Sequence, residues 1–141
     1  MDQTEARRRF SSAEVAVLAT VDATGAPHAV PVTFVVDHDT AWTAVDGKPK
    51  GSTALRRHDN IRANPRVSLL AQHWDADWSR LWWVRVDGTA ALDDTEGTLR
   101  RVSGLLQAKY PQYEQVPVTG PVIEIRLQRW RGWAAADPLS P

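Results

Sequence analysis

The stretch Thr43-Ala-Val-Asp-Gly-Lys48-Pro-Lys50-Gly-Ser52-Thr53 concentrates residue types that bind an anion. Two ammonium groups and two hydroxyls lead into a segment whose apolar spacing predicts a helix from Ser52 or Thr53 to about Asn64. The first turn of a helix has unpaired backbone N–H groups and the positive end of the helix dipole, which favour a phosphate or a carboxylate. Gly47 and Gly51 let the backbone approach such a group closely. The order is not that of a P-loop, where Lys follows the second Gly. Taken alone, the stretch is either an anion-binding loop or a solvated loop before an ordinary helix cap.

Other familiar chemistry is missing. The chain has no G-x-S-x-G elbow, no H-E-x-x-H and no G-x-G-x-x-G. Absence of cysteine excludes disulfides, thiolate zinc sites, iron–sulfur clusters and a cysteine nucleophile. His28, His38, His58 and His73 form no tight pair on one helix, so no metal site is expected. Asp75 and Asp77 read as a turn whose carboxylates face water, and Arg7 to Arg9 as a solvated helix face. Seven tryptophans beside two Phe and two Tyr either line a pocket for a planar ligand or fill a small barrel core. Trp82 and Trp83 are adjacent, so on a strand they point to opposite faces and only one can fill a barrel.

The elements that must position these groups follow from periodicity. The 141 residues suit one domain over 1–141. With 17 cations and 17 anions the net charge is zero, which argues against nucleic acid or an anionic membrane as partner. No secretory signal or membrane-length apolar run is visible, so a soluble cytoplasmic domain is expected. Asp2 and Glu5 resemble a capping box for a helix over 3–13. Strands are predicted at 15–21, 28–36 and 41–45, joined by turns as an antiparallel meander, with Pro31 marking an edge, a bulge or a ligand-facing position. Further strands fall at 67–74, 81–92 and 122–133, with a polar loop at 75–79 and a loop over 110–120. Asp93 with Glu96 predicts a capped helix carrying Leu99, Val102 and Leu106. Six strands and three helices make a mainly β chain, a small antiparallel barrel with flanking helices.

Several short segments then match a family in order. Val17-Leu-Ala-Thr20, Gly25-x-Pro27-His28 and Pro31-Val-x-Phe34 resemble the opening hairpin of the flavin-binding split β-barrels, the pyridoxamine-phosphate-oxidase-like superfamily. Trp42-Thr43, Lys48-Pro-Lys50, Leu55-Arg-Arg, Asn60-Ile, Asn64-Pro65-x-Val67 and Trp83-Val-Arg-Val-x-Gly88 follow in that family's sequence. The resemblance runs from about residue 5 to residue 133. Asp75-x-Asp77-Trp78-x-x-Leu81-Trp-Trp-Val-Arg is most similar to the deazaflavin-dependent branch.

The resemblance implies a six-stranded antiparallel split barrel that forms a homodimer, with the cofactor in a groove between subunits. Thr43, Lys48 and Lys50 would hold the cofactor phosphate, with hydroxyls added by Ser52 and Thr53. The backbone of Pro31, Val32 and Thr33 would edge the ring system. Trp83 stands where flavin mononucleotide oxidases tend to carry Gln, which leaves room for a deazaflavin. Arg56, Arg57 and Arg62 lie near enough to meet the carboxylates of a deazaflavin tail, or are ordinary solvated helix residues. The implied activity is hydride transfer from an 8-hydroxy-5-deazaflavin coenzyme (F-420 type) to a small organic substrate. The alternatives are an FMN-binding oxidoreductase and a non-catalytic flavin- or haem-binding protein. No side chain is singled out as a catalytic acid.

Overall fold

A computed structural model describes residues 1–46 and 52–136. In chain order the elements are α1 (Gln3–Ser12), β1 (Ala16–Val21), β2 (Pro27–Val32), β3 (Val35–Asp37), β4 (Thr40–Asp46), α2 (Ser52–Ala63), β5 (Arg66–His73), β6 (Trp82–Asp93), α3 (Glu96–Lys109) and β7 (Val118–Ala134). All strand pairs are antiparallel, in the order β2-β1-β5-β6-β7-β4-β3. The fold is mainly β with flanking helices, as expected, but the sheet has seven strands rather than six.

The extra strand arises inside the segment read as one strand over 28–36. Thr33 and Phe34 leave the ladder there, so β2 ends one edge of the sheet and β3 begins the other. The sheet therefore curls until its edges approach at this corner, without a ladder between β2 and β3 among the described residues. Both turn-linked antiparallel hairpins of the predicted meander form, β1 with β2 and β3 with β4, but the break places them at opposite edges of the sheet instead of side by side. Pro31 sits on an edge strand, where its missing N–H costs least.

Alternation sets what lies inside. Ala16, Leu18 and Thr20 of β1 face inward and are fully buried, while Val17, Ala19 and Val21 face outward and are half-buried. The interior is filled by Phe10, Leu18, Phe34, Leu69, Val84, Val86, Ile123 and Ile125, with Trp82 and Trp130 packed against them. Trp82 therefore belongs to the barrel side and its neighbour Trp83 to the outer side, as strand geometry requires. A second cluster lies on the outside of β4 and β7, where Val102 and Leu106 of α3 cover Trp42, Ala44 and Val122.

The ends of the elements follow local chemistry. Asp2 caps α1 by accepting from the Glu5 N–H at 2.8 Å. The Asp22 carboxylate accepts from the N–H groups of Thr24 and Ala26, and Gly25 adopts the left-handed φ of 90° that this turn needs. Asn60 of α2 donates to the buried Thr20 hydroxyl at 3.0 Å, tying that helix to β1. Asp93 does not cap α3: it accepts from the N–H and hydroxyl of Thr95, which is the cap residue. The segment read as a loop over 110–120 holds a 3-10 turn at Pro111–Glu114 and the start of β7. In the loop over 75–79, Asp77 caps a 3-10 turn at Trp78–Arg80, in keeping with its reading as a turn.

Arg7 and Arg9 correct another expectation, since neither is a solvated helix residue. Arg7 donates to the His38 carbonyl and to Asp39 at 2.6 Å, and its guanidinium lies 5.1 Å from the centre of the Trp130 ring. Arg9 lies over Trp82 and bonds Glu5, whose carboxyl is held down to about 2 by hydrogen bonds from Arg8 and Arg9. A planar cation over an indole face is attracted by the ring while its edge stays free to donate, so α1 is pinned to the barrel.

Gly88 is required by close approach. It sits at the irregularity between β6 and β7, and a Cβ there would land on the carbonyl oxygen of Arg126 and crowd Ile125. Gly88→Ala is expected to destabilise the fold by about 2–4 kcal/mol, because a backbone atom rather than a flexible side chain must give way. Urea unfolding should show the midpoint falling, and an unchanged midpoint would contradict the required approach.

Candidate functional site

The Thr33–Phe34 corner is irregular backbone held by side chains from distant parts of the chain. Its polar groups have no ladder, and Phe34 is fully buried, so side chains must satisfy them. The Thr33 carbonyl accepts from the Thr43 hydroxyl at 2.7 Å. The Thr33 and Tyr113 hydroxyls lie 2.7 Å apart. Phe34 N–H donates to the Tyr110 hydroxyl at 3.2 Å, and the Phe34 carbonyl accepts from Lys109 Nζ at 2.9 Å. The Tyr110 hydroxyl also lies 3.0 Å from that carbonyl and 2.7 Å from the Glu14 carbonyl, its acceptor before β1.

Lys109 is half-buried, with Nζ 3.9 Å from the centre of the Phe34 ring. Burial brings its pKa down to about 8, opposed by the charge of Glu14. The folded chain thus releases this proton near pH 8, whereas an unfolded lysine holds it to about 10.5. The burial cost is present in full below pH 8 and is relieved as pH rises toward 10.5, so stability contributed here increases with pH across that window. Burial pushes the Tyr110 phenol up, which keeps it a neutral hydroxyl. A cavity of about 450 Å³ opens beside the corner, lined by Thr33, Tyr110 and Tyr113 with Val15, Gln112 and Val116.

The predicted site residues divide around this corner. Thr33 and Thr43 are brought into direct contact, and Thr43 is buried with its hydroxyl committed to Thr33. Pro31 is exposed on the outer face of β2, and the Val32 side chain is part of the interior. Trp83 is half-buried on the same outer face as Pro31, reached through the register Pro31–Val17–Leu70–Arg85 and two residues along β6. Three strand spacings and two residues of rise separate them, roughly 16 Å. Trp83 stands opposite Gln72 on β5 and Trp133 on β7, beside a cleft of about 470 Å³ that Trp130 and Arg131 also line. Ser52 and Thr53 form the first turn of α2, which has no acidic residue to oppose an anion. Arg57 is half-buried on α2, whereas Arg56 and Arg62 are exposed, Arg62 bonding Asp59 at 3.2 Å. Lys48 and Lys50 lie outside the described residues.

Sequence reading missed Lys109, Tyr110 and Tyr113. A signal was present: the chain has only two tyrosines, three residues apart, directly after one of its three lysines. A flat redox cofactor needs apolar surface for its ring, donors and acceptors at the rim, and cations for its phosphate. The open edge of β2 supplies unpaired backbone N–H and C=O groups beside Pro31, and the adjoining outer face supplies Val17, Leu70, Trp83 and Trp133. The described residues fit the ring of such a group; Lys48 and Lys50, expected from the sequence to meet its phosphate, lie outside them.

Comparison with known proteins agrees with this architecture. A family model described as pyridoxamine 5'-phosphate oxidase matches residues 3–134. No curated protein matches the chain in sequence. Among solved structures, a conserved hypothetical protein of Mycobacterium tuberculosis superposes with a TM-score of 0.73 at 23% identity, covering 96% of this chain and 86% of that one. A FAD-binding protein of Mesorhizobium loti gives 0.69 at 19%, covering 94% and 92%. The heme storage protein HutZ of Vibrio cholerae gives 0.69 at 16%, covering 94% and 93%. At these identities the solved structures show a shared fold. With nearly its whole length matched by the family model, the chain belongs to the pyridoxamine 5'-phosphate oxidase family.

Proposed function

We propose that the protein is a deazaflavin (F-420 type) dependent oxidoreductase that passes hydride to a small organic substrate, acting as a homodimer with the cofactor between subunits. The observation that carries this reading is the shared outer face on which Pro31, the open edge of β2 and the Trp83–Trp133 pair lie together. A flat ring of mixed polarity suits that face, and the FAD-binding relative of the same fold is in keeping with it. When bound, the coenzyme supplies the hydride. The backbone at Pro31–Thr33 bonds the ring's rim and fixes its orientation. Lys48 and Lys50, with Ser52 and Thr53, take the phosphate at the start of α2. Arg56, Arg57 and Arg62 follow on that helix as partners for the carboxylates of the tail. Trp83 offers an apolar wall with one N–H donor, where an amide would both donate and accept.

The second reading, FMN, has an observation of its own. Gln72 lies directly across from Trp83, so an amide is available one strand away. Fluorescence titration with both cofactors at one salt concentration separates the readings. Tighter binding of the deazaflavin by tenfold or more, about 1.4 kcal/mol, is expected. Equal affinities or a preference for FMN would promote the second reading. A haem absorption band in the purified protein would support the non-catalytic haem-binding role instead.

A charge-assisted bond to phosphate contributes about 1.5–3 kcal/mol, so Lys50→Ala is expected to weaken cofactor binding about 10- to 150-fold. Arg8, exposed on α1 and bonded to Glu5, should tolerate Ala without such loss. The reverse pattern would place the phosphate elsewhere.

The homodimer rests on the difference between the two outer faces. α3 covers the outside of β4 and β7, whereas Val17, Ala19, Leu70, Trp83 and Trp133 are left half-buried on the remainder. Light scattering at micromolar concentration should give about twice the 15.7 kDa chain mass, and Trp83→Arg should shift it toward the single-chain value. A single-chain mass for the parent would refute the dimer.

A further inference from the structure

We infer that Lys109 and Tyr110 are positioning residues for the cofactor site: they clamp the Thr33–Phe34 corner and so set the path of the strand edge on which the ring rests. This rests on the reading of Pro31–Thr33 as the ring's edge. The geometry is specific to that corner. Both backbone groups of Phe34 are held by side chains from the end of α3, the N–H by the Tyr110 hydroxyl and the carbonyl by Lys109 Nζ. The Tyr110 hydroxyl also reaches the Glu14 carbonyl, so one oxygen joins the α1–β1 connection, the β2–β3 corner and α3. The residue before Phe34 is the last of the predicted ring edge, and its own groups are held by Thr43 and Tyr113. Two soft dihedrals separate the clamped amide from that edge. A loosened clamp therefore changes where the edge presents its donors and acceptors.

The clamp has a titratable part. Charge-assisted hydrogen bonds are about twice as strong as neutral ones, so the hold on the Phe34 carbonyl weakens when Lys109 loses its proton. Burial sets that loss near pH 8. Of the titratable groups around it, Glu14 before β1 favours the charged form. Tyr110 stays a neutral phenol, its pKa pushed up. Asp37 at the end of β3 is engaged by Arg101 at 3.0 Å, and Tyr113 lies against Thr33.

The test combines two readouts on the full chain. Affinity for FMN and for the deazaflavin coenzyme is measured by fluorescence from pH 6.5 to 9.5, alongside the backbone amide shifts of Thr33 and Phe34 in the cofactor-free protein. The parent is expected to lose affinity about 3- to 10-fold between pH 7 and 9 with a midpoint near 8, and the Phe34 amide should move with the same midpoint. Lys109→Arg keeps its charge throughout, so it should bind as the parent does at pH 7 and remain flat to pH 9. Lys109→Gln should bind several-fold more weakly at pH 7 and also lack the inflection, and Tyr110→Phe should weaken binding at every pH. With three lysines in the chain, selective labelling of their side chains identifies which one titrates near pH 8. A flat Phe34 amide in the parent, or Lys109→Gln with the parent's affinity and profile, overturns the proposal. If neither cofactor binds at any pH, the functional reading fails and takes the affinity half of the proposal with it, while an amide inflection that vanishes in Lys109→Arg still upholds the clamp.

Discussion

Two residues must take the chain from one edge of a seven-stranded sheet to the other, and most of the structure is arranged around how they do it. Thr33 and Phe34 cannot use ladder hydrogen bonds, yet Phe34 is buried against Phe10, with ring centres 4.7 Å apart. An unpaired backbone amide or carbonyl in that setting costs about as much as a lost hydrogen bond, and more where no water reaches it. The solution is to bring hydroxyls and an ammonium from distant parts of the chain. That fixes where α3 must end, and the packing of Val102 and Leu106 against Trp42 and Val122 holds it there.

The helix that serves the corner also divides the outside of the sheet in two. On the side of β4 and β7 the outward residues gain a cover from the same chain. On the side of β1, β5 and β6 the described residues supply no equivalent one, and the same alternation that fills the interior leaves Val17, Leu70 and Trp83 pointing away from it. The tryptophans follow this division. Trp82 and Trp130 seal the barrel, Trp42 lies under α3, and Trp83 with Trp133 furnishes the outer face. These tryptophans are therefore divided between the interior and the two outer faces of the sheet.

The zero net charge conceals a division of labour between the two kinds of cation. Of 17 basic residues, three are lysines, so 17 − 3 = 14 are arginines. Arg7, Arg9 and Arg101 each lay a guanidinium over an indole ring while bonding a carboxylate at its edge. A compact ammonium does this less well, because it lacks the planar face. Of the three lysines, two stand at 48 and 50 in the sequence before α2, and Lys109 at the corner sets a point charge on a single carbonyl oxygen. At the corner, burial brings the Lys109 titration down to about pH 8.

The sequence by itself determined what depends on neighbours in the chain. Alternation located β1, β5 and β6 to within a residue or two, because a side-chain period of two is visible without knowing the partner strand. The Asp2 cap, the Asp22 turn and the opposed faces of Trp82 and Trp83 are likewise local. Only the tertiary structure decided what depends on contacts remote in sequence. The break at Thr33–Phe34 carries no local signal strong enough to interrupt a run of Val and Phe; it exists because Tyr110 and Lys109, more than 70 positions away, supply the missing bonds. The same applies to Arg7 and Arg9, whose indole partners lie on β6 and β7. Periodicity identifies which face of an element is apolar, but the identity of the groups that satisfy an irregular backbone is settled only when distant segments pack together.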